Sequence, residues 1–483
     1  MSESRLDFDV VIVGAGLSGI GAAARLQTEH PQRSLALLEA RAVTGGTWDL
    51  FRYPGIRSDS DMLTLGYRFR PWRAGAALAD GAAILDYVRQ TAREFDVERH
   101  VRFGHRVRRA EWTSDSARWM LTCDTESGPI TLTCAFLWSC TGYFDYAGGH
   151  RPGFANEADF HGTVVHPQDW PADLDYAGQR VAVIGSGATA ITLVPALART
   201  ARHVTMVQRS PTYIVSRPEE DRFANVLGRV LPDSLAYRLA RTKNVVLGAA
   251  GFALSRRYPR LVRSFLEKRV RAQLPPDLDA RTHFSPRYDP WDQRICVVPD
   301  GDLFSALRDG SASVVTGEIA EFTVEGIRMR SGEVVPADII VTATGLRLLP
   351  FGGIELVVDG EPVDVPGSMA YRAMMLSEVP NLAFTIGYTN ASWTLKADLV
   401  ADFVCRLLGL LDRRGYRSVV PVRDPGVSEE PLLHFTSGYV VRSLDLLPRQ
   451  GSREPWRLRK SYLRDAWAIR RADLEDGVLR FRR

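Results

Sequence analysis

Two glycine-rich turns, each lying between an apolar β-branched stretch and a helical stretch, predict an α/β protein with two Rossmann-like dinucleotide-binding domains. A third observation, the basic and helix-like character of residues 222–273, predicts a helical insertion. The 483 residues exceed one ordinary core, and 45% hydrophobic with 24% charged residues is typical of a globular chain. Composition therefore favours neither a fibrous nor a disordered class.

The first glycine-rich turn follows the apolar run of residues 9–13 and precedes a helical pattern that continues to about Gln27. Gly14 permits the tight turn, Gly16 lets the backbone approach a pyrophosphate, and Gly19 allows close packing of helix on strand. Ser18 lies in the first helical turn, within reach of a phosphate oxygen. The spacing predicts a dinucleotide site at this helix N-terminus.

An acid ends the strand that follows the first helix. The run of residues 34–38 leads into Glu39, twenty positions after Gly19. A carboxylate there can accept both ribose hydroxyls of an adenosine. The alternative is a solvated strand end.

The second turn follows the apolar strand of residues 180–184, and an arginine stands where many such folds have an acid. Its candidate cofactor-binding residues are Gly185, Ser186, Gly187, Ala188, Thr189, Ala190 and Ile191. The next strand ends before Arg209 and Ser210, and an arginine there can hold a 2′-phosphate through charge-assisted hydrogen bonds. Arg209 as a simple surface charge is the alternative. The two units together predict FAD first and NADPH second.

The FAD-binding domain is predicted to be discontinuous, with the NADPH-binding domain inserted into it. Cys140-Thr141-Gly142 closes its first part, and the apolar stretch 337–345 is interpreted as the strand that returns to it. The predicted segments are 1–165 (FAD-binding domain, first part), 166–216 (NADPH-binding domain, first part), 217–282 (basic helical insertion), 283–335 (NADPH-binding domain, second part) and 336–483 (FAD-binding domain return and C-terminal region).

The linker before the second turn carries a fingerprint. Residues 160–170 read FHGTVVHPQDW, with Phe160, Gly162, His166 and Trp170 at the fixed positions of the FxGxxxHxxxW motif. The chain resembles the type I Baeyer–Villiger monooxygenases, and within them the ethionamide-activating branch. Similar stretches occur along nearly the whole chain, at residues 45–61, 290–294 and 387–394.

That resemblance implies a set of cofactor contacts. Thr47, Trp48, Asp49, Leu50 and Asp59 would line the FAD site, Arg57 and Ser58 would face the nicotinamide side, and Val107 would contact FAD through its backbone. From the residues alone, a Gly-Gly-Thr-Trp turn allows close approach to a flat cofactor, but spacing does not choose Asp59 over Asp61. The alternative for these acids is an internal salt bridge with Arg52 or Arg57.

Arg294 is the main catalytic candidate, with Asp59 as the second. Arg294 resembles the active-site arginine of the family. In the family, this arginine stabilises the flavin peroxide anion and then the tetrahedral adduct with the ketone. Developing negative charge calls for a permanent cation, and a guanidinium stays protonated at any working pH. An ion pair with Asp289 or Asp292 is the alternative. His166 and Trp170 are interpreted as residues that order the linker, against the simpler reading of His166 as a buried histidine with a satisfied hydrogen bond.

The predicted reaction uses NADPH and O2 to insert one oxygen atom next to a ketone carbonyl, giving an ester or lactone, with sulfide or thioamide oxidation as a second activity. One alternative is a flavin monooxygenase that acts only on nitrogen or sulfur. The linker motif of such enzymes typically lacks the final tryptophan, which is Trp170 in this sequence. A disulfide-type flavin reductase needs a cysteine pair, and the sequence has none. A non-catalytic, membrane-associated flavin-binding protein is the alternative of another class.

Cysteine usage and charge bear on location and partners. Five cysteines without a CxxC pair predict a reducing compartment and no metal site. The N-terminal sequence shows no basic and then long apolar stretch typical of an export signal, so a cytoplasmic location is expected. No nucleic acid partner is expected. The net charge is +4, yet residues 222–273 hold twelve Arg or Lys against Asp233 and Glu267. This segment could lie on the inner face of the cell membrane or at a subunit contact in an oligomer. The favoured alternative is a helical subdomain over the active site with a solvated basic face.

Overall fold

The computed structural model describes residues 6–73 and 76–483. The helices of these residues are α1 (Leu17–Glu29), α2 (Thr47–Leu50), α3 (Met62–Leu65), α4 (Gly81–Glu94), α5 (Ala188–Leu197), α6 (Arg222–Val230), α7 (Asp233–Arg257), α8 (Pro259–Arg271), α9 (Ala280–Phe284), α10 (Asp302–Arg308), α11 (Trp393–Arg414), α12 (Gly438–Val441) and α13 (Tyr462–Arg470). The strands are β1 (Phe8–Val13), β2 (Leu35–Leu38), β3 (Val101–Arg102), β4 (Arg106–Thr113), β5 (Arg118–Thr125), β6 (Gly128–Ser139), β7 (Thr163–Val165), β8 (Arg180–Ile184), β9 (His203–Gln208), β10 (Ile214–Arg217), β11 (Cys296–Pro299), β12 (Ala312–Thr316), β13 (Ile319–Thr323), β14 (Gly326–Met329), β15 (Val334–Pro336), β16 (Ile339–Thr342), β17 (Glu355–Val358), β18 (Glu361–Pro362), β19 (Ala370–Tyr371), β20 (Met375–Leu376), β21 (Leu382–Phe384), β22 (Ser418–Pro421), β23 (Glu429–Pro431), β24 (Arg449–Gly451) and β25 (Leu479–Arg482).

The larger sheet combines a parallel and an antiparallel part. Its order is β18-β17-β4-β5-β6-β1-β2-β3, and β21 also pairs with β6. Strands β3, β2, β1, β6 and β21 run parallel, whereas β4, β5 and the first half of β6 form an antiparallel meander. The long strand β6 therefore joins the two parts of this sheet.

Both faces of β1 are buried, as expected for a central parallel strand. Val10 and Ile12 pack with α1, α4 and α11 on one face. Val11 and Val13 pack on the other face, against the meander and residues 432–447. This alternation follows from the two-residue period of a strand.

The smaller sheet is parallel, with the order β12-β9-β8-β16-β7. All its strands lie between residues 163 and 342, so in the sequence it stands between β6 and β17 of the larger sheet. The interpretation of stretch 337–345 as the returning strand of the FAD-binding domain was wrong. Ile340 of β16 pairs with Ala182 of β8 and Val164 of β7, because an apolar run buried on both faces fits the centre of this sheet. The division into five segments stays a prediction.

The predicted helical insertion consists of α6, α7, α8 and α9. Helix α7 packs against α3 and α13, and it contributes Tyr237 and Ala240 to a small core with Leu63. In the part of the chain that the structure describes, no helix combines the length and apolarity required to cross a bilayer.

Candidate active site

The first glycine-rich turn is closely packed against the neighbouring chain. Gly14 has a φ of +103°, and a Cβ there would lie 2.7 Å from the carbonyl oxygen of Cys140. A Cβ on Gly19 would lie 1.8 Å from the carbonyl oxygen of Gly14. Both positions therefore require glycine. Ser18 lies at the start of α1, where its Oγ accepts a hydrogen bond of 2.7 Å from the indole N–H of Trp393.

Glu39 is 6% exposed and lies directly after β2. Its carboxylate accepts hydrogen bonds from the backbone N–H of Ala15, at 2.8 Å, and of Arg41, at 2.9 Å. Burial raises the pKa of Glu39 from its ordinary value, although these two donors oppose the effect. The acid is thus held beside the turn, where a ribose hydroxyl can reach it, and it is not a solvated strand end.

The stretch 47–50 forms the short helix α2 behind Gly46, whose φ is +56°. Thr47 and Trp48 line the cleft described below. Asp49 is turned away from the cleft and contacts Arg41 at 2.5 Å and Arg89 at 2.9 Å. Its observed role is therefore to hold this turn in place.

The second turn repeats the first at its first glycine. Gly185 has a φ of +142°, and a Cβ there would lie 2.4 Å from the carbonyl oxygen of Ala343. The hydroxyl of Ser186 donates to the carbonyl oxygen of Ser210 at 2.8 Å. Further along, Ala190 and Ile191 are buried in α5 and face the core.

Arg209 follows β9 at the same edge of the sheet and is exposed. Its guanidinium makes no hydrogen bond or ion pair with any residue of the described ranges. It stands beside the glycine turn and lines the cleft with Ser210. A free cation at this point suits a 2′-phosphate.

Arg294 and Asp59 form a two-point ion pair. Nε and Nη2 of Arg294 donate to the two carboxylate oxygens of Asp59, both at 2.6 Å. The nearby carboxylate raises the pKa of Arg294 above its ordinary value. Arg294 therefore forms neither of the alternative ion pairs. Asp289 pairs with Arg263 instead, and Asp292 pairs with Arg256.

The third nitrogen of Arg294, Nη1, has no hydrogen bond to the residues that the structure describes. Two tyrosines, Tyr143 and Tyr439, lie close enough to interact with the guanidinium, and burial raises the pKa of both phenols. Both phenols are therefore neutral near pH 7, and Nη1 has two N–H groups for a bound molecule.

Sequence reasoning missed Tyr143, Tyr439 and Arg442 as residues of this cleft. Tyr143 comes directly after Cys140-Thr141-Gly142, so its position offered a signal. Tyr439 and Arg442 come from α12 and the residue after it, about 145 positions beyond Arg294, and no local pattern marks them.

Helix α7 holds the loop that carries Asp59. Arg241 is buried and donates to the carbonyl oxygens of Leu63, at 2.7 Å, and Gly66, at 2.8 Å. It also pairs with Asp398 at 3.2 Å. The insertion therefore fixes α3, which directly follows the loop that carries Asp59.

Other polar groups hold the same loop. Asn244 of α7 donates to Asp61 at 3.1 Å, and Asp61 caps α3 by accepting from the backbone N–H of Thr64. Ser58 accepts from the backbone N–H of Ser60 at 3.0 Å. Arg57 pairs with Asp302 at 2.5 Å. Asp59 and Asp61 consequently do not pair with Arg52 or Arg57.

The fingerprint histidine joins the two segments that cross between the sheets. His166 is 2% exposed; its Nδ1 accepts from the backbone N–H of Gln168 at 3.2 Å, and its Nε2 donates to the carbonyl oxygen of Gly345 at 3.3 Å. Its ring also packs on Gly149, where a Cβ would overlap it. Gly149 and Gly345 lie on the two crossing segments, so the ring holds both. Burial lowers the pKa of His166, which keeps the ring neutral.

The remaining fingerprint residues are structural. Phe160 is buried and meets Phe322 edge-on, with ring centroids 6.3 Å apart. A Cβ on Gly162 would lie 2.2 Å from the carbonyl oxygen of Asp338, so the backbone passes here only with glycine. Trp170 packs edge-on to Tyr176, at 6.3 Å. The contacts of Phe160 and Gly162 therefore hold the linker against β13 and against the residue before β16.

A single cleft of about 1330 Å³ connects both turns and the Arg294–Asp59 pair. The predicted site residues that line it are Gly14, Gly16, Ser18, Glu39, Thr47, Trp48, Arg57, Ser58, Asp59, Val107, Gly185, Ser186, Gly187, Ala188, Thr189, Arg209, Ser210 and Arg294. Those that lie outside its lining are Gly19, Asp49, Leu50, Ala190, Ile191 and the four fingerprint residues. The cleft exceeds the about 300–1,000 Å³ of an ordinary ligand pocket, and its donor groups fit two dinucleotides.

Comparison with known proteins agrees with this geometry. A family model described as flavin-binding monooxygenase-like matches residues 77–258, and one described as an NAD(P)-binding Rossmann-like domain matches residues 12–71. The chain is 55% identical over 476 residues to the FAD-containing monooxygenase EthA of Mycobacterium tuberculosis, covering 98% of this chain and 97% of that protein. The chain belongs to the flavin-binding monooxygenases. This monooxygenase is also 48% identical to a probable FAD-binding monooxygenase, AlmA, of Acinetobacter baylyi, with coverage of 98% and 96%.

Solved structures give the same fold. A steroid monooxygenase bound to NADP superimposes with a TM-score of 0.70 at 23% identity, covering 86% of this chain and 88% of that one. Cyclohexanone monooxygenase from Rhodococcus sp. Phi1, bound to NADP+, superimposes with a TM-score of 0.70 at 21% identity and 87% coverage of each chain. This monooxygenase therefore has the fold of these two monooxygenases, both of which bind NADP.

Proposed function

We propose that this monooxygenase inserts one atom of O2 between the carbonyl carbon of a ketone and its neighbouring carbon, giving an ester or lactone. The other oxygen atom leaves as water, and NADPH supplies the two electrons. The observation that carries the proposal is the Arg294 guanidinium, fixed by Asp59 and open at Nη1, in the cleft between the two turns.

Arg294 supplies positive charge where the reaction develops negative charge. Attack on a ketone leaves an anion on the former carbonyl oxygen, and a fixed N–H donor at that point lowers the barrier without reorganisation. Asp59 uses only Nε and Nη2, so the ion pair orients the donor without occupying it. Asp59 is therefore a positioning partner of Arg294.

Bound FAD supplies the redox and oxygen chemistry. For FAD we propose the lining residues Gly14, Gly16, Ser18, Glu39, Thr47, Trp48 and Val107. For NADPH we propose the second turn with Arg209 and Ser210, whose free cation favours a 2′-phosphate. Within the linker, His166 and Trp170 order the crossing segments and take no part in proton transfer, since the His166 ring is engaged at both nitrogens.

Oxidation of a sulfide or thioamide is the proposed second activity, because the oxygen chemistry that bound FAD would supply can also act on an uncharged sulfur. The relative EthA is named an FAD-containing monooxygenase, which fits either activity. A reductase of the disulfide type is disfavoured, since all five cysteines are buried and unpaired. Burial raises the pKa of Cys140 and of Cys296 to about 12.

The test supplies purified enzyme with NADPH and O2 and compares 2-octanone with methyl phenyl sulfide. We expect ester from the ketone, one atom of ¹⁸O from labelled O2 in that ester, and sulfoxide from the sulfide. Sulfoxide without ester would move the enzyme to the class that oxidises only nitrogen or sulfur. NADPH consumption with hydrogen peroxide as sole product would contradict the proposal.

We also propose a cytoplasmic location, where NADPH is supplied and thiols such as the five free cysteines stay reduced. Formation of an oligomer stays a prediction.

A further inference from the structure

Exposed apolar side chains are concentrated on the helical insertion. Of the twenty large hydrophobic residues exposed in the described chain, eleven lie between Phe223 and Phe265. The most open of them are Val230 at 70%, Leu261 at 69% and Leu247 at 62%. Residues 222–273 make up about a ninth of the sequence, so this surface differs from the rest of the molecule.

The exposed residues of α7 share one face. Leu235, Leu239, Val246 and Leu254 are spaced by four, seven and eight positions, which places them along one side of a helix. The opposite side carries Arg241, which is fixed to the loop before α4. The apolar face is therefore a rigid part of the fold.

Cations surround this face and most of them lack acidic partners. Four of the twelve form ion pairs with Asp398, Asp221, Asp292 and Asp289. The others are exposed and make no ion pair with a residue in the described ranges: Arg222, Arg229, Arg238, Arg257, Arg260, Lys268, Arg269 and Arg271. Some combine with aromatic rings, as Arg269 lies 5.7 Å from the centre of the Phe265 ring.

We infer that α6, α7 and α8 form a docking surface for an anionic lipid bilayer. Leucine and phenylalanine side chains enter the boundary of the acyl chains, and unpaired arginines bind lipid phosphates around them. A second copy of the chain is a poor occupant, because a two-fold contact would bring like charges together. A nucleic acid would leave the leucines in water. The inference is independent of the reaction, since no residue of 222–273 lines the described cleft.

The test is flotation of the FAD-loaded enzyme with vesicles of phosphatidylcholine, with or without an equal part of phosphatidylglycerol. We expect binding only to the anionic vesicles, falling as salt rises from about 0.1 M to about 0.5 M. Changing Arg257→Gln, Arg260→Gln, Lys268→Gln and Arg269→Gln together should weaken this binding at least about tenfold. The double change Leu247→Asn and Leu261→Asn should weaken it as well.

A matched control removes four other exposed cations that form no ion pair within the described part of the chain, through Arg457→Gln, Arg480→Gln, Arg482→Gln and Arg483→Gln. This control should float like the wild type, and all variants should keep their flavin absorbance and NADPH oxidation. Equal binding to neutral vesicles, equal loss in the control, or no binding by the wild type would each overturn the inference. Self-association that is abolished by the leucine changes, without vesicle binding, would assign the surface to a second copy.

Discussion

The two dinucleotide turns share a backbone plan but differ in how far the protein encloses them. At the first turn Glu39 is buried and held by two backbone donors. A Cβ on Gly16 would lie 3.4 Å from the Cα of Gly46. At the second turn a Cβ on Gly187 would meet no described atom within 4 Å, and Arg209 is exposed and makes no ion pair with residues 6–73 or 76–483. An enclosed site suits a cofactor that stays bound, and an open one suits a cofactor that enters and leaves at each turnover.

The third glycine position of each turn, Gly19 in the first and Ala190 in the second, gives the largest expected difference. Gly19→Ala puts a Cβ 1.8 Å from the carbonyl oxygen of Gly14, so we expect at least about a tenfold loss of bound FAD and of all activity. The second turn already has Ala190 at this place, and Ala190→Gly should keep FAD with only about 1 kcal/mol of lost helix stability. Flavin absorbance per protein measures both. Full FAD occupancy in the Gly19→Ala variant would show that the turn can accept a Cβ at this position.

NADPH binding at the open site should depend on Arg209. Arg209→Gln removes a charge-assisted contact to the 2′-phosphate, so KM for NADPH should rise about 10- to 100-fold while KM for NADH stays unchanged. Arg199→Gln, an exposed change on the same domain, is the control. Steady-state NADPH oxidation is the measurement, and equal rises for both cofactors would contradict phosphate recognition.

The loop before α4 should become less stable when its contact with helix α7 of the insertion is removed. Arg241→Gln breaks a buried pair and frees the loop before α4, which costs about 3 kcal/mol and should increase hydrogen peroxide release several-fold. Arg238→Gln lies exposed on the same helix and should change neither. Thermal unfolding and peroxide per NADPH are measured together. Lower thermal stability with an unchanged amount of peroxide per NADPH would show that Arg241 only stabilises the fold.

His166 gives the smallest expected effect, and it depends on pH. Burial lowers its pKa below the about 6.5 of a free imidazole, so in weak acid the unfolded chain binds this proton more readily than the folded one. Stability therefore rises with pH through this window and is lost as the pH falls below about 6.5. His166→Asn should flatten the fall of Tm between about pH 7 and 5.5. An unchanged dependence of Tm on pH would mean that protonation of His166 does not contribute to the loss of stability in weak acid.

The sequence predicts what depends on local backbone rules. Gly14, Gly185 and the strands before them lie where spacing puts them, because a strand, a tight turn and a helix N-terminus are local features. The stretch 337–345 shows the limit of such rules. Its apolar run predicts a buried strand, yet pairing in three dimensions decides which sheet contains it.

The site itself was predictable where a family motif covered it. Arg294 and Asp59 were both candidates, but spacing could not show that they bind each other across 235 positions. Tyr439 and Arg442 enter the cleft through a four-residue helix without a periodic pattern. Long-range contacts of this kind depend on packing and not on local propensity.

We propose that the Arg294 guanidinium stabilises the anion that forms on the former carbonyl oxygen during ester formation. The most direct measurement is ester produced from 2-octanone per NADPH oxidised, in the wild type, Arg294→Lys and Arg294→Ala, with FAD content determined for each. We predict that Arg294→Ala keeps FAD, oxidises NADPH and loses ester about 10²- to 10³-fold, with Arg294→Lys recovering only part because it cannot pair with Asp59 at two points. Wild-type ester yield from the alanine variant would contradict the account.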